Sequence, residues 1–196
     1  MKFLVAVGAA FIGLLLLALF MGALPQAGKR AYEGERHGHE SACEILRSTH
    51  ESKTLGELPI EAPDFSLADF SGRSVTLSSL RGDVVLVNFW ATWCKTCAVE
   101  MPSMEHLVET MRGRRFRLLA LSVDEEWAPV RSFFSQGTSL PILLDSKKEV
   151  AQRYGVSKFP ESFLIDRRGN IRYFVVGDRK WDLPAVRACM EALLKD

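Results

Sequence analysis

Val84-Val85-Leu86-Val87-Asn88-Phe89-Trp90-Ala91-Thr92-Trp93-Cys94-Lys95-Thr96-Cys97 is the stretch on which the reading of this chain turns. From Val84 to Phe89 nearly every side chain is β-branched or apolar, the pattern of a strand buried on both faces. After the cysteines the period changes. Cys97, Met101, Met104, Val108 and Met111 recur at steps of four and three, which predicts a helix to about Met111 with that stripe facing the core. Pro102 falls inside it and predicts a kink. A C-x-x-C pair therefore stands where a buried strand hands over to a helix.

That placement carries chemistry. A cysteine in the first turn of a helix meets unpaired backbone N–H groups and the positive end of the helix dipole, and both favour thiolate over thiol. Cys97, one turn later on the apolar stripe, is expected to be less exposed and less acidic. The asymmetry suits dithiol–disulfide exchange, with Cys94 in the attacking role and Cys97 resolving the mixed disulfide. A structural zinc site needs four ligands as a rule, and the histidines at 37, 39, 50 and 106 show no paired spacing near the dithiol, so no metal or other cofactor is expected.

Working outward, Ala62-Pro63-Asp64-Phe65-Ser66-Leu67 and Val75-Thr76-Leu77 flank Asp69 to Gly72 and predict a hairpin. Beyond the first helix the pattern gives a strand over 116–123, a helix over 128–136 and a strand over 140–144. A brief helix over 149–154 follows, ended by Gly155. Strands over 162–165 and 171–176 are joined by Asp166-Arg167-Arg168-Gly169-Asn170, a turn signal. The chain closes with a helix over 182–194, whose Val186, Cys189, Met190, Leu193 and Leu194 share a face. Strands alternating with helices, then a hairpin and a helix, predict an α/β fold around a mixed sheet.

Of 196 residues 47 % are apolar and 25 % charged, a globular composition. Lys plus Arg is 25 and Asp plus Glu is 24, so no single-sign field exists to hold nucleic acid. Residues 1–24 are a separate object. Phe3 to Leu24 has no charged or polar side chain and as a helix would reach roughly 33 Å, enough for a hydrocarbon core of about 30 Å. A cleaved signal peptide competes with an uncleaved anchor. The anchor is preferred, because no A-x-A-like site closes the run and the run is long for a signal peptide. Lys2 before it and Lys29 and Arg30 after it leave orientation undecided. Residues 25–57 read as a linker with a short helix, begun by a capping box at Ser41 and Glu44 and running to about His50. Residues 58–196 form the main domain.

These motifs resemble the thioredoxin superfamily, and specifically its TlpA/ResA/DsbE (CcmG) branch of exported thiol–disulfide oxidoreductases. Val87 to Cys94 is similar to the branch's strand-into-active-site signature. Gly155-Val156-Ser157-Lys158-Phe159-Pro160-Glu161-Ser162-Phe163-Leu164-Ile165-Asp166 resembles its cis-proline loop. The resemblance covers about Ala62 to Leu194. It implies a thioredoxin fold with an N-terminal hairpin and one extra helix–strand unit within the 66 positions between Cys94 and Pro160, preceded by a single transmembrane helix. It also implies a cis Phe159–Pro160 bond, which no propensity argument could show.

Where thioredoxin has a buried aspartate this chain has Asn88, while Glu100 matches the branch's active-site glutamate. Cys94, Cys97 and Glu100 form a ladder along one helix side, so Glu100 is placed to take the Cys97 proton. The competing reading is a solvated helix residue. Trp93, Lys95, Thr96, Phe159, Pro160 and Glu161 are expected to shape the substrate surface. Lys95-Thr96 departs from the pairs of thioredoxin and ResA, and Thr96 and Glu161 resemble the DsbE proteins of cytochrome c maturation instead. Lys95 adds a cation beside Cys94.

Cys43 and Cys189 are either separate buried thiols or a bridge, and some TlpA-type proteins tie an N-terminal helix to the C-terminal helix in this way. His37-Gly38-His39-Glu40 reads as polar linker in preference to a metal site, and His106 as helix surface. The resemblance implies exported cysteine-containing substrates, apocytochrome c or copper-site proteins, and a DsbD-type membrane reductase as electron donor. A Sco-type copper chaperone would need C-x-x-x-C and a late histidine, which the chain lacks. A peroxiredoxin would place threonine and proline at the positions of Ala91 and Val87.

Overall fold

A computed structural model describes residues 41–47 and 58–195. The segment 1–24, most of the linker, and His37, His39 and His50 lie outside the described residues. Among the described residues no helix is long and apolar enough to cross a membrane.

The compact unit Ala42–Asp196 is built on a six-stranded mixed sheet. Its central strand is β4 (Val84–Trp90), buried at all seven positions, as its unbroken apolar run requires. On one side β4 pairs in parallel with β5 (Phe116–Ser122), which pairs in parallel with β6 (Ile142–Leu144). On the other side it pairs antiparallel with β7 (Glu161–Ile165), which continues antiparallel to β8 (Asn170–Val176) and β1 (Ile60–Glu61). The hairpin is a separate ribbon of β2 (Ser66–Ala68) and β3 (Ser74–Thr76). Its turn is tied by Asp69, whose Oδ1 accepts from the amides of Ser71 and Arg73. The helices are α1 (Lys95–Thr110), α2 (Trp127–Phe133), α3 (Glu149–Arg153) and α4 (Pro184–Leu193). This is a thioredoxin fold, in which α2 and β6 make up the extra helix–strand unit and place β6 at the sheet edge.

Alternation along β4 sorts the two faces of the sheet. Asn88 reaches Glu100 of α1, and the Trp90 ring packs on Phe133 and Phe134 at the end of α2. Phe89 points the other way, into an aromatic cluster with Tyr154 and Phe163.

Several boundaries differ from those the sequence predicts. The expected helix after Ser41 is a short 3-10 turn, Glu44–Leu46, and Arg47 already has an extended backbone. Cys43, at the cap of that turn, makes no side-chain capping bond. It is joined instead to Cys189 of α4, so burial and not a capping box fixes this segment. The strand expected from Leu140 starts only at Ile142, because Pro141 lacks the N–H a ladder needs. Helix α2 stops at Phe133, before the predicted Gln136, and Gly137 in the following turn has φ of 87°. Strand β1 pairs over only two residues and carries no periodicity to find. Along α1 the buried face holds Glu100 and Leu107 besides Cys97, Met101, Met104 and Met111, while Val108 is only half-buried.

Candidate active site

Cys94 is the N-cap residue of α1 with an extended backbone, and its Sγ accepts a hydrogen bond from the Cys97 amide at 3.2 Å. The Thr96 hydroxyl lies 3.5 Å from the same sulfur. Cys94 and Cys97 are joined as a disulfide. The two are not equivalent: Cys94 keeps 7 % exposure and Cys97 has none. Once reduced, a sulfur at this position faces the N–H groups of a helix start, which stabilise negative charge there. Lys95 and Thr96 are exposed beside it.

Trp93 is 61 % exposed and meets the Phe159 ring edge-on, with centroids 5.6 Å apart. Phe159–Pro160 is a cis peptide bond, and the Pro160 carbonyl accepts from Gly177. Glu161 is buried at the start of β7, where Ser157 donates to it from both backbone and hydroxyl. Burial, more than those bonds can offset, raises the proton affinity of the Glu161 carboxyl.

Glu100 is 1 % exposed, which excludes the solvated-helix reading. Its Oε1 accepts from Asn88 Nδ2 at 2.9 Å, and its Oε2 from the Arg179 amide at 3.2 Å and Trp181 Nε1 at 3.0 Å. Removal from water pushes its pKa up to about 7, against the opposing pull of these three donors, with Asp178 adding to the rise. A carboxyl poised near neutrality one turn after Cys97 is suited to accepting and returning a proton.

Other parts of the site escaped sequence reasoning. Asp124, just past β5, accepts from the Thr92 amide at 3.0 Å, the Thr92 hydroxyl at 2.7 Å and the Ser122 hydroxyl at 2.6 Å. It pins the loop that delivers Cys94 to the helix. Ser162, Arg179 and Trp181 were likewise invisible, since each meets its partner across more than seventy positions. A lone tryptophan in the polar stretch Asp178-Arg179-Lys180-Trp181-Asp182 was the one available signal.

The fold and this site agree with the chain's likeness to known proteins. The model of the AhpC/TSA family matches residues 60–174, more than half of the chain. The chain belongs to this family. Within it, the relatives are of the ResA/DsbE-like kind. A thiol-disulfide oxidoreductase ResA of Geobacillus thermodenitrificans is 38 % identical over 126 residues, covering 64 % of this chain and 72 % of the relative. That of Bacillus anthracis is 37 % identical over 120 residues, covering 61 % and 69 %. Among solved structures, a thioredoxin-family thiol:disulfide interchange protein from Chlorobium tepidum aligns with TM-score 0.59 and 30 % identity, covering 68 % of this chain and 98 % of that one. This AhpC/TSA-family member is a thiol–disulfide oxidoreductase.

Proposed function

We propose that this oxidoreductase is a dithiol reductase anchored at the outer face of the cytoplasmic membrane, acting on apocytochrome c during cytochrome c maturation. The observation that carries the reading is one helix presenting Cys94 at its N-cap, Cys97 buried a turn later and Glu100 buried a turn beyond that. Cys94, as thiolate, attacks a substrate disulfide, forms a mixed disulfide and releases one substrate thiolate. Cys97 gives its proton to Glu100 and attacks Cys94 Sγ; the Cys94–Cys97 disulfide forms and the second substrate thiolate leaves. Two electrons from a DsbD-type membrane reductase restore the dithiol. The exposed Trp93–Phe159 pair, with Pro160 and Glu161 behind it, forms the surface for the substrate chain.

The compartment is supported by the apolar run of residues 3–24 and by the Cys43–Cys189 bridge, which persists in an oxidising environment. The substrate is supported by the likeness of Thr96 and Glu161 to DsbE proteins. Replacing Cys97 by Ser removes the resolving thiol, so the mixed disulfide on Cys94 should accumulate in cells. Capture without reductant should recover an apocytochrome c. Recovery of copper-site proteins alone would move the substrate to oxidase assembly with the same chemistry. Recovery of cytoplasmic proteins alone would overturn the compartment.

A further inference from the structure

Asn88 is fully buried, and among the described residues its amide is the only partner of Glu100 Oε1. Oε2 already accepts from the Arg179 amide and the Trp181 indole. Both of those groups can only donate, and together they use both lone pairs of Oε2. A proton arriving at Glu100 must therefore settle on Oε1, the side facing Asn88.

The Asn88 environment is built for two states. In the observed orientation Nδ2 donates to Glu100 Oε1 and to Ser162 Oγ, each at 2.9 Å, while Oδ1 is buried with no partner among the described residues. Turning the amide by half a revolution exchanges oxygen and nitrogen at almost unchanged shape. Oδ1 would then accept from a protonated Oε1 and from the Ser162 hydroxyl, which can donate or accept. Each orientation makes two hydrogen bonds and leaves the other terminus unpartnered. The terminus left over is one oxygen in the first and an NH2 group in the second, and the charge on Glu100 decides between them.

We infer that Asn88 is a positioning residue that turns its side-chain amide as Glu100 gains or loses its proton, so that the buried carboxyl is hydrogen-bonded in both states. This rests on Glu100 being the proton acceptor for Cys97. It explains how an asparagine serves where a carboxylate base is absent from β4: it takes up no proton, yet responds to one. Charged groups near Glu100 include Asp178, whose charge raises its proton affinity, and Arg179, whose guanidinium is turned away to the Ile45 carbonyl; His106, Lys180 and Asp182 line the same cleft. The Arg179 guanidinium can only donate, and the one side chain hydrogen-bonded to Oε1 among the described residues is Asn88.

Nuclear magnetic resonance of the oxidised full-length chain in detergent micelles, labelled at asparagine and glutamate, tests this. In the disulfide state neither active-site cysteine titrates, so the Glu100 Cδ shift reports Glu100 alone. Above its midpoint, contacts between the Asn88 amide protons and the Ser162 Hβ protons should be strong. Below it they should be lost, and in E100Q, where no proton is exchanged, they should not change with pH. Contacts that persist on both sides of the Glu100 midpoint, or that change with pH equally in E100Q, would overturn the inference. Failure of the acceptor role itself is read separately, as an E100Q enzyme that resolves mixed disulfides at the native rate.

Discussion

Glu100 Oε2 and Trp181 Nε1 lie 3.0 Å apart, joining the active-site helix to the segment that leads into the last helix of the chain. Both side chains are buried. The contact ties the C-terminal segment to the active-site helix, because that segment supplies two of the three donors that hold the carboxylate.

Removing that indole donor should be felt as a change in proton affinity. In Trp181→Phe the ionised Glu100 loses a hydrogen bond of the charged kind, worth about 1.5–3 kcal/mol, whereas the neutral acid loses less. The Glu100 pKa should therefore rise above about 7. The pH midpoint of mixed-disulfide resolution, followed by stopped flow, should move upward by roughly one unit or more. An unmoved midpoint would show that the bond does not tune the carboxyl.

Glu100→Gln should slow resolution while leaving attack by Cys94 on a model disulfide nearly unchanged, because only the second step transfers the Cys97 proton to this residue. A loss of about a hundredfold or more near neutral pH is expected from removing a general base. Equal resolution rates for both proteins across pH 6 to 9 would deny Glu100 the role.

The same substitution should alter the pH dependence of folding. Glu100 has its pKa raised from 4.5 to about 7 by burial, so the folded chain binds this proton more tightly than the unfolded chain does. Its contribution to stability is greatest below pH 4.5 and is lost as pH rises towards 7, by roughly 3 kcal/mol in all. Urea unfolding of the oxidised protein should show native stability falling from pH 5 to pH 8 relative to Glu100→Gln. Parallel curves for the two proteins would mean that ionised Glu100 is not penalised in the fold.

Asp124 should prove to be a determinant of the active-site loop. Asp124→Ala leaves the Thr92 amide and hydroxyl without their acceptor, and should cost about 1–3 kcal/mol in denaturant titrations. The rate of Cys94 attack should fall as well, since Thr92 stands two residues before it. Unchanged stability and attack rate would deny Asp124 that role.

Loss of the Cys43–Cys189 bridge should weaken the fold without touching the chemistry. The bridge spans 146 positions, so by loop closure its removal is expected to cost up to about 5 kcal/mol. Cys43→Ala with Cys189→Ala should unfold at lower denaturant and retain thiol–disulfide exchange at Cys94. An unshifted unfolding midpoint would make the bridge energetically silent.

The sequence by itself determined the strand of residues 84–89, the helix start at the dithiol and the asymmetry of Cys94 and Cys97. Each follows from local periodicity and from which backbone groups a helix end leaves unpaired, so neighbouring residues suffice. The resemblance at Phe159-Pro160 supplied the loop whose Phe159 ring meets Trp93 beside the dithiol. What only the tertiary structure decided is the state of Glu100. Its burial depends on how α1 lies on the sheet, and its donors come from β4 and from Arg179 and Trp181, some eighty positions away. Asp124 beneath Thr92 and Cys43 against Cys189 belong to the same class. A hydrogen bond or a bridge between distant positions leaves no period in the chain, because it is set by the packing of elements that the chain specifies only one at a time.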